Sequence, residues 1–535
     1  MAASVLLALV AAIPLLPPLG ILLARFILRV WGWSLLSQSR GRRAAIVVKV
    51  AKDRAALTAE QDLQLDTDDG WEKVERVGEA ANGESLPEEW HGVVGFFHPF
   101  CNAGGGGERV LWAAIAATQR RWPQATCVVY TGDHDIDRDV VVATVENRFG
   151  IRLQEHSLVF IYLTRRRFVL ASTYPFFTLA GQSFGSLILA HEAFQLLVPD
   201  IFIDTMGYAF GLAFCRFLFP KIPTGAYVHY PTISTDMLES LDDTTGEKGI
   251  HSGAGTGLKG RGKRLYWRAF AWLYGWVGSQ IDVVMCNSSW TSGHIRQLWK
   301  PKRPSSNFAS VVYPPCPVEE LEAKIQLTPE SEKKRENIVL YIAQFRPEKN
   351  HSLILRSFAK YRRQSKKDPK LVLIGSVRSN TPDEKHVYKL RLEARELKID
   401  DATTFICDAP FSTILKYLQR SSVTTNGMYS EHFGIGNVEG LAAGLIPVVH
   451  NSGGPKLDIV VPYKGQPVGY LGESDQDYAE GFLKVESLDA QERYQMRQRG
   501  RASTKRFTEA AFADKWISEM QVLVTLQSSR SGDWL

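Results

Sequence analysis

Two glutamates eight residues apart, Glu431 and Glu439, flank a glycine-containing loop in the C-terminal half of the chain. Within the loop, Gly434 and Gly436 permit a tight turn and a close approach of the backbone to a ligand. Asn437 is suited to cap a short helix, whose first N–H groups are unpaired and suit phosphate or sugar oxygens. Carboxylates repel phosphates but accept hydrogen bonds from hydroxyl groups. The segment therefore predicts a nucleotide-sugar site in which the glutamates bind hydroxyls of a sugar or ribose.

A simpler interpretation of this loop treats Glu431 and Glu439 as solvated charges and the glycines as a plain turn. The neighbouring residues favour a functional site. The segment resembles the Glu-x7-Glu signature of the family-4 retaining glycosyltransferases of the GT-B type, including the inner Phe433 and Gly434 and a later turn at residues 452–455. This resemblance implies an α/β protein with two doubly wound Rossmann-like domains that face a cleft.

A second set of candidate residues follows a predicted strand at residues 337–342. In the resembled family an Arg, and a Lys five residues later, hold the donor diphosphate, where cations stabilise the charge that develops on the leaving group. Lys349 matches this Lys, whereas Gln344 occupies the Arg position and Arg346 lies two residues further on. The resemblance implies catalytic roles for Lys349 and Arg346. The alternatives are a site that lacks the Arg contact and a solvated charged loop.

Four consecutive glycines, residues 104–107, separate a predicted buried strand at 92–97 from a predicted helix. Such a run is costly in conformational entropy, which favours close approach of a ligand over a flexible turn. The pattern is neither a P-loop nor a dinucleotide fingerprint, so a dehydrogenase is disfavoured. In the resembled family this loop lies near the donor phosphates, which implies that Gly104, Gly105 and Gly106 contact the donor.

A single histidine, His229, comes just after a predicted strand at residues 226–228, where ligands bind in open α/β sheets. Such a histidine is usually structural. The resembled family, however, often has a histidine at this strand end, close to the reacting sugar, which implies a catalytic contact for His229.

The resemblance also implies a division of roles. Glu439 is expected to hold the ribose hydroxyls of the nucleotide, and Glu431 to contact the hydroxyls of the transferred sugar as part of the catalytic group. The backbone amides of Phe433, Gly434 and Ile435 are expected to line the sugar–phosphate junction. No residue is an obvious nucleophile, so we expect the leaving phosphate to deprotonate the acceptor hydroxyl on the same face, and catalysis to rest on positioning and charge stabilisation.

Within the family, segments 98–110, 343–349 and 450–458 resemble the mannosyltransferases that extend a dolichyl-diphosphate-linked oligosaccharide. The resemblance implies GDP-mannose as donor and addition of the fourth and fifth mannoses in alpha-1,2 linkage at the cytosolic face of the endoplasmic reticulum, in N-glycan precursor assembly. It further implies that no metal or other cofactor is required, and it allows for other mannosyltransferases of the pathway as partners. Two alternatives are a family relative with a different lipid-linked acceptor and a membrane scaffold that binds nucleotide sugar without turnover. Only Gln344 favours the scaffold.

The composition indicates a globular protein. At 535 residues the chain is long enough for two domains, and 45% apolar and 22% charged residues exclude a disordered or polytopic membrane protein. The net charge of +6 is spread along the chain and does not indicate nucleic acid. The six cysteines are scattered, which is typical of reduced thiols in the cytosol rather than of a disulfide or metal framework.

Residues 1–24 carry no charged side chain, which predicts a membrane anchor. A cleaved signal peptide is disfavoured because there is no basic region before the apolar run. Basic residues that follow it, beginning with Arg25 and Arg29, place the body of the protein in the cytosol by the positive-inside rule. We therefore expect the glycosylation sequons at Asn287 and Asn350 to be unmodified.

These patterns divide the chain into five parts: a membrane anchor (1–36), a polar, ill-ordered linker or insertion (37–90), an acceptor-side Rossmann-like domain (91–317), a nucleotide-sugar-binding Rossmann-like domain (318–505) and a C-terminal helix and tail (506–535). In the resembled family the last helix often crosses back onto the first domain. The apolar region 168–219 is interrupted by Pro and Asp, which favours elements that pack on the domain or touch the bilayer over two membrane helices. Residues 264–277 fit either a membrane-surface helix or a core helix.

Overall fold

The computed structural model describes residues 16–67, 90–242, 255, 257–300, 308–378 and 381–531. The strands of the first sheet are β1 (Val93–Phe97), β2 (Thr126–Thr131), β3 (Leu158–Tyr162), β4 (Ile201–Asp204), β5 (Thr224–Val228), β6 (Val283–Cys286) and β7 (Ser310–Val311). Those of the second sheet are β8 (Ile338–Ile342), β9 (Lys370–Gly375), β10 (Thr403–Cys407), β11 (Val423–Asn426), β12 (Ile446–His450) and β13 (Tyr470–Gly472).

The helices before the second sheet are α1 (Leu16–Thr67), α2 (Gly106–Arg121), α3 (Arg138–Phe149), α4 (Thr178–Leu196), α5 (Ala209–Leu218), α6 (Thr235–Ser240), α7 (Gly257–Gly278), α8 (Ser289–Leu298), α9 (Val318–Lys324) and α10 (Pro329–Lys333). The later helices are α11 (His351–Gln364), α12 (Pro382–Glu396), α13 (Phe411–Arg420), α14 (Ile435–Ala442), α15 (Asp475–Ser487), α16 (Ala490–Ser503) and α17 (Glu509–Ser531).

Both sheets are parallel, with the strand orders β3-β2-β1-β4-β5-β6-β7 and β10-β9-β8-β11-β12-β13. Strands β1, β2 and β12 are buried along their whole length, as expected for parallel strands that helices cover on both faces. In each sheet the order in which strands are added reverses beside the first strand, β1 or β8. This reversal creates a topological switch point at the carboxyl edge of the sheet. The predicted pair of doubly wound domains is confirmed.

The predicted linker is partly wrong, because residues 37–67 continue the helix α1 that begins at Leu16. This stretch contains one glycine, no proline and many strong helix formers. It also packs on the first domain, where Val50 is buried and Arg43 pairs with Asp200 at 2.6 Å. Residues 68–89, the rest of the predicted linker, lie outside the described part of the chain.

The N-terminal part of α1 is apolar and exposed. Helix α1 contains a stretch, within Gly20–Leu57, that is long and apolar enough to cross a membrane, and it is the one such helix among the described residues. Its side chains there include Leu22, Phe26 and Trp33, each more than half exposed. The structure thus places an apolar helix surface where the sequence predicts an anchor.

The apolar region 168–219 forms α4, β4 and α5, which pack with α1 and α7 on one face of the first sheet. The preference for elements that pack on the domain is therefore confirmed. In α7 Trp267 and Tyr274 are buried, as the core-helix interpretation requires, whereas Leu265 and Trp272 are about three-quarters exposed. Contact of this exposed side with a membrane surface stays a prediction. The opposite face of the sheet is covered by α2, α3 and α17.

The last helix returns to the first domain. In α17, Trp516 is fully buried, stacks on Phe96 and donates a hydrogen bond from Nε1 to Oγ1 of Thr118 at 3.0 Å. Near the crossover between the domains, the N–H of Cys316 donates to the carbonyl of Phe507 at 2.9 Å. These contacts link the two domains at one end of the cleft.

Candidate functional site

The glycine loop after β11 forms the start of helix α14. Gly434 is the N-cap residue with φ of 104°, a left-handed conformation that favours glycine, and the helix begins at Ile435. The predicted cap at Asn437 is wrong, because this residue lies inside the helix. Its Nδ2 atom instead lies 2.7 Å from the position of a Cβ on Gly434, so the asparagine packs back against the turn. In a helix that starts at Ile435 the first N–H groups have no intrahelical partner, and their contact with a ligand stays a prediction.

The second domain forms one side of the cleft, which we call the C-terminal wall, and the first domain forms the N-terminal wall. Lys349 and Glu431 form an ion pair in the C-terminal wall. Lys349 Nζ lies 2.6 Å from Glu431 Oε2, and Asn426 Nδ2 donates to the same oxygen at 3.2 Å. Burial raises the pKa of Glu431, but the charge of Lys349 and the two hydrogen bonds outweigh burial and lower the pKa below its ordinary value. The carboxylate is therefore ionised and fixed in orientation.

A hydrogen bond from a tyrosine of β8 holds the backbone at Lys349. Lys349 ends a 3-10 turn after β8, and its carbonyl accepts a hydrogen bond from the hydroxyl of Tyr341 at 2.6 Å. Arg346 starts this turn, and its charge helps to lower the pKa of Asp383 at the beginning of α12. The Nε atom of Arg346 is buried without a hydrogen-bond partner among the described residues, whereas Gln344 is exposed. A donor contact by Arg346 stays a prediction.

The tetraglycine loop and His229 meet the C-terminal wall across the cleft. A Cβ on Gly106 would lie 2.7 Å from Cδ1 of Ile435, so the Ile435 side chain would have to shift to admit a side chain here. A Cβ on Gly107 would lie 3.7 Å from Nε2 of His229, which is ordinary contact. The fold thus brings together three segments that the sequence singled out separately.

The other two glycines of the loop are held by the first domain. The N–H of Gly105 donates to Oε2 of Glu108 at 2.5 Å, and Gly104 adopts φ of 72° against the side chain of Arg148. The loop is shorter than the sequence predicts, because Gly106 and Gly107 already form the first turn of α2. Donor contacts of Gly104 and Gly105 stay predictions, since their nearest neighbours belong to the N-terminal wall itself.

His98 and Glu108 support this loop, and the sequence analysis missed both. His98 directly follows β1 and is fully buried. Its Nδ1 lies 2.7 Å from Oγ1 of Thr205, and its Nε2 lies 3.7 Å from Oε1 of Glu108. Burial raises the pKa of Glu108, but the interactions with His98 and nearby N–H groups lower it overall. A signal was present, because Glu108 stands three residues after the N-cap Gly105, which is the spacing of the Glu in a capping box.

His229 is a neutral imidazole at physiological pH. Burial, together with repulsion from His98, lowers its pKa to about 4. Its Nε2 atom is buried and has no hydrogen-bond partner among the described residues. A neutral ring nitrogen that points towards the glycine loop can accept a hydrogen bond from a ligand hydroxyl or donate one to it.

Glu439 lies on α14, where burial raises its pKa to about 7 and the charge of Arg109 opposes the rise. In the described part of the chain its carboxylate has no hydrogen-bond donor. A carboxylate without donors can accept hydrogen bonds from the two hydroxyls of a ribose, and this role of Glu439 stays a prediction.

An aromatic cluster joins the two domains beside Glu431, and sequence reasoning missed it. The ring of His432 lies 4.2 Å from Tyr230 and 5.3 Å from Trp290, both of the first domain. Asp236 accepts hydrogen bonds from Trp290 Nε1 at 3.1 Å and from Ser430 Oγ at 3.0 Å. These residues come from separate chain segments, so no local sequence pattern predicts their contact.

Next to this cluster is a cavity of about 370 Å³, lined by both domains. Its size is in the range of small-ligand sites. Among the described residues no cluster of three or more His, Cys, Asp or Glu is arranged to hold a metal ion. The predicted independence from a metal is not tested by that arrangement and stays a prediction.

Comparison with known proteins identifies both halves of the chain. Residues 91–299 match the family described as ALG11 mannosyltransferase N-terminus, and residues 324–503 match Glycosyl transferases group 1. A relative from Neurospora crassa is 53% identical over 95% of this chain and 96% of its own length. The human relative is 44% identical over 81% of this chain and 87% of its own length. Both are named GDP-Man:Man(3)GlcNAc(2)-PP-Dol alpha-1,2-mannosyltransferase.

Solved structures are similar in fold at low sequence identity. Sucrose-phosphate synthase from Thermosynechococcus elongatus has a TM-score of 0.55 and 16% identity, over 81% of this chain and 99% of its own. The alpha,alpha-trehalose 6-phosphate synthase from Burkholderia multivorans has a TM-score of 0.57 and 12% identity, over 81% and 98%. These similarities confirm the predicted GT-B fold.

Proposed function

The chain belongs to the family of GDP-Man:Man(3)GlcNAc(2)-PP-Dol alpha-1,2-mannosyltransferases, and we infer that it transfers mannose from GDP-mannose to a dolichyl-diphosphate-linked oligosaccharide in alpha-1,2 linkage. It is a glycosyltransferase, and the alternatives of a different lipid-linked acceptor or an inactive scaffold are not favoured. The observation that carries the inference at the site is the Lys349–Glu431 pair, set opposite the tetraglycine loop and His229 in one cleft.

For the diphosphate, we assign the neutralising cation to Lys349. In the structure Lys349 is paired with Glu431, which holds its ammonium group in the cleft at a fixed position. A diphosphate that binds beside this group gains a charge-assisted hydrogen bond, and charge that develops on the leaving phosphate is stabilised there. Arg346, with its buried Nε atom free of hydrogen bonds among the described residues, is assigned to the same diphosphate.

For the sugar, we assign the mannose hydroxyls to Glu431 of the second domain and to His229 of the first domain. Glu431 is ionised and oriented by Asn426, and His229 is neutral, so both accept hydrogen bonds from hydroxyls. The amides of Phe433, Gly434 and Ile435 line the sugar–phosphate junction.

The nucleotide extends along α14, where Glu439 accepts hydrogen bonds from the ribose hydroxyls. The tetraglycine loop, including Gly104, Gly105 and Gly106, closes over the phosphates from the opposite wall. Gly106 is the closest of these to the C-terminal wall.

For the chemical step, we propose that the anomeric configuration is retained. The acceptor hydroxyl attacks the anomeric carbon from the side on which GDP leaves, and its proton passes to the departing phosphate. The bond from the anomeric carbon to the GDP oxygen breaks and the new glycosidic bond forms. The protein contributes position and charge stabilisation, and no metal or other cofactor is assigned.

The apolar N-terminal part of α1 anchors the protein to the endoplasmic reticulum membrane as a single span, with both domains in the cytosol. The side chain of Asn287 is buried and its amide oxygen accepts hydrogen bonds from Ser288 and Thr291, so a glycan at this sequon would not fit the fold. Detection of a glycan at Asn287 or Asn350 on the protein from cells would contradict this orientation.

The experiment that tests the function uses the full chain in neutral detergent with GDP-mannose and a lipid-diphosphate-linked acceptor that carries three mannoses. Mass spectrometry of the product should show the addition of first one and then a second hexose, the fourth and fifth mannoses. Digestion with an alpha-1,2-specific mannosidase should remove both. Equal activity with chelator present tests metal independence. No transfer from GDP-mannose, or preferred transfer from another nucleotide sugar, would refute the assignment.

A further inference from the structure

A loop of three consecutive arginines, residues 165–167, follows β3 at the carboxyl edge of the first sheet. We call it the arginine loop. Its backbone is fixed by Glu192 of α4, whose carboxylate accepts hydrogen bonds from the N–H of Thr164 at 2.9 Å and of Arg165 at 3.0 Å. A buried carboxylate thus holds an exposed basic loop in a defined conformation.

Two of the three guanidinium groups are available to a ligand. Arg166 is paired with Asp133, whereas Arg165 and Arg167 are exposed and form no ion pair with a carboxylate within the described ranges. The guanidinium of Arg167 lies 4.9 Å from the ring centre of Phe168, and the Arg167 side chain is exposed. Two guanidinium groups on one fixed loop suit phosphate oxygens, which arginine binds in a bidentate manner.

On one side the arginine loop adjoins the apolar helix layer. His191, next to Glu192, lies 5.1 Å from the ring of Trp31 in α1, the helix that carries the predicted anchor. Phe176 and Phe177, between the loop and α4, are 80% and 67% exposed. Phe177 adopts φ of 53°, a strained conformation for a bulky residue, and such strain is concentrated at functional sites.

On the other side the loop is connected to the donor site. Asp133, the partner of Arg166, also accepts a hydrogen bond from the N–H of Asn102 at 3.0 Å through Oδ2. Asn102 stands two residues before the tetraglycine loop. The arginine loop therefore lies between an apolar, exposed surface and the catalytic cleft, along one edge of one sheet.

We propose that Arg165 and Arg167 bind the diphosphate of the lipid-linked acceptor. The proposal rests on the function assigned above, because that acceptor consists of an isoprenoid, a diphosphate and a glycan in this order. The arrangement on the protein follows the same order, with exposed aromatic side chains, two free guanidinium groups and then the cleft. An anionic phospholipid headgroup offers similar chemistry. The connection to the tetraglycine loop assigns the site to the acceptor, whose glycan has to enter the cleft.

The test compares Arg165→Gln/Arg167→Gln with Arg268→Gln in the full-length protein. Arg268 is an exposed arginine of α7, close in sequence to the exposed Trp272, and it controls for loss of positive charge on the apolar layer. In neutral detergent micelles we expect the double variant to raise KM for the lipid-diphosphate acceptor by about tenfold or more, with kcat and the KM for GDP-mannose unchanged. Arg268→Gln should leave all three values unchanged.

Two further measurements separate the possible outcomes. Competition by a lipid diphosphate without sugar should be weaker in the double variant than in the unmodified protein. Sedimentation with phosphatidylserine-containing vesicles should be equally strong for both. An unchanged acceptor KM, or a loss confined to phosphatidylserine vesicles, would overturn the proposal. If the unmodified protein transfers no mannose to any lipid-diphosphate acceptor, the proposed function itself fails, which is a different result.

Discussion

The two walls of the cleft differ in how they carry charge. The C-terminal wall presents an ionised pair, Lys349 and Glu431, at 2.6 Å. Opposite it, the N-terminal wall presents glycine backbone and His229, whose pKa of about 4 keeps it neutral. In the function that we propose, the C-terminal wall stabilises the charge of the leaving diphosphate, whereas the N-terminal wall sets the position of the sugar between the domains.

Replacement of Lys349 by Ala should have the largest effect on turnover, because it removes the cation that we assign to the leaving group. We expect kcat at saturating GDP-mannose to fall by roughly 100- to 1,000-fold, the effect of deleting one well-placed electrostatic contact. Transfer of radiolabelled mannose to the lipid acceptor measures it. Lys360→Ala is the matched control, since Lys360 pairs with Asp475 at a half-exposed site of the same domain and should retain normal kcat.

The double variant Lys349→Ala/Glu431→Gln separates catalysis from stability. The single variant leaves the Glu431 carboxylate buried without its partner, so its free energy of unfolding should fall by about 3 kcal/mol. Neutralising Glu431 should recover most of this loss in a denaturant titration while turnover stays low. Near-normal turnover in folded Lys349→Ala would show that the diphosphate binds elsewhere.

The C-terminal wall was more predictable from the sequence than the N-terminal wall for a physical reason. Glu431, Gly434 and Glu439 are local in the chain, and a short helix and its preceding turn position all of them. Lys349 follows the neighbouring strand β8 by a similar short turn. Local spacing therefore determines most of the geometry.

The N-terminal wall depends on contacts between distant segments. His98 contacts Glu108 and Thr205 because α2 packs on the sheet in which β1 and β4 are neighbours. Trp290 contacts His432 only because the two domains pack together. No periodicity in the sequence encodes such distances. The same limit applies to residues 37–67, where polar composition suggested a linker but packing on the first domain maintains a helix.

Replacement of Glu439 by Ala should weaken donor binding more than turnover. It removes an acceptor for two ribose hydroxyls, so the Kd for GDP should rise by about 10- to 100-fold. Isothermal titration calorimetry measures this value. Because burial raises the pKa of Glu439 to about 7, protonation below that pH should weaken GDP binding in the unmodified protein. The isosteric Glu439→Gln variant should lack this pH dependence, and an identical pH dependence in both proteins would exclude Glu439 as its origin.

Gly106→Ala tests how closely the two walls approach. The added methyl group would lie 2.7 Å from Cδ1 of Ile435, so the Ile435 side chain has to shift at the start of α14, and we expect kcat/KM to fall by about tenfold. Gly107→Ala is the control, because its methyl group would make ordinary contact with His229. Ile435→Val removes the colliding Cδ1 atom and should restore activity in the Gly106→Ala background. Failure of this rescue would place the cause outside the contact.

The smallest effect that we expect is the contribution of His229 to the pH profile of kcat. With its pKa lowered by burial to about 4, the imidazole stays neutral from about pH 5 to 8, so the profile of kcat should show no histidine inflection near its ordinary value. His229→Asn should reduce kcat by roughly tenfold through a lost hydrogen bond while the profile keeps its shape. An inflection that disappears in His229→Asn would show that the N-terminal wall also uses a charge in catalysis. The contrast between the two walls would then be wrong, because a cationic imidazole would share the stabilisation of the diphosphate with Lys349.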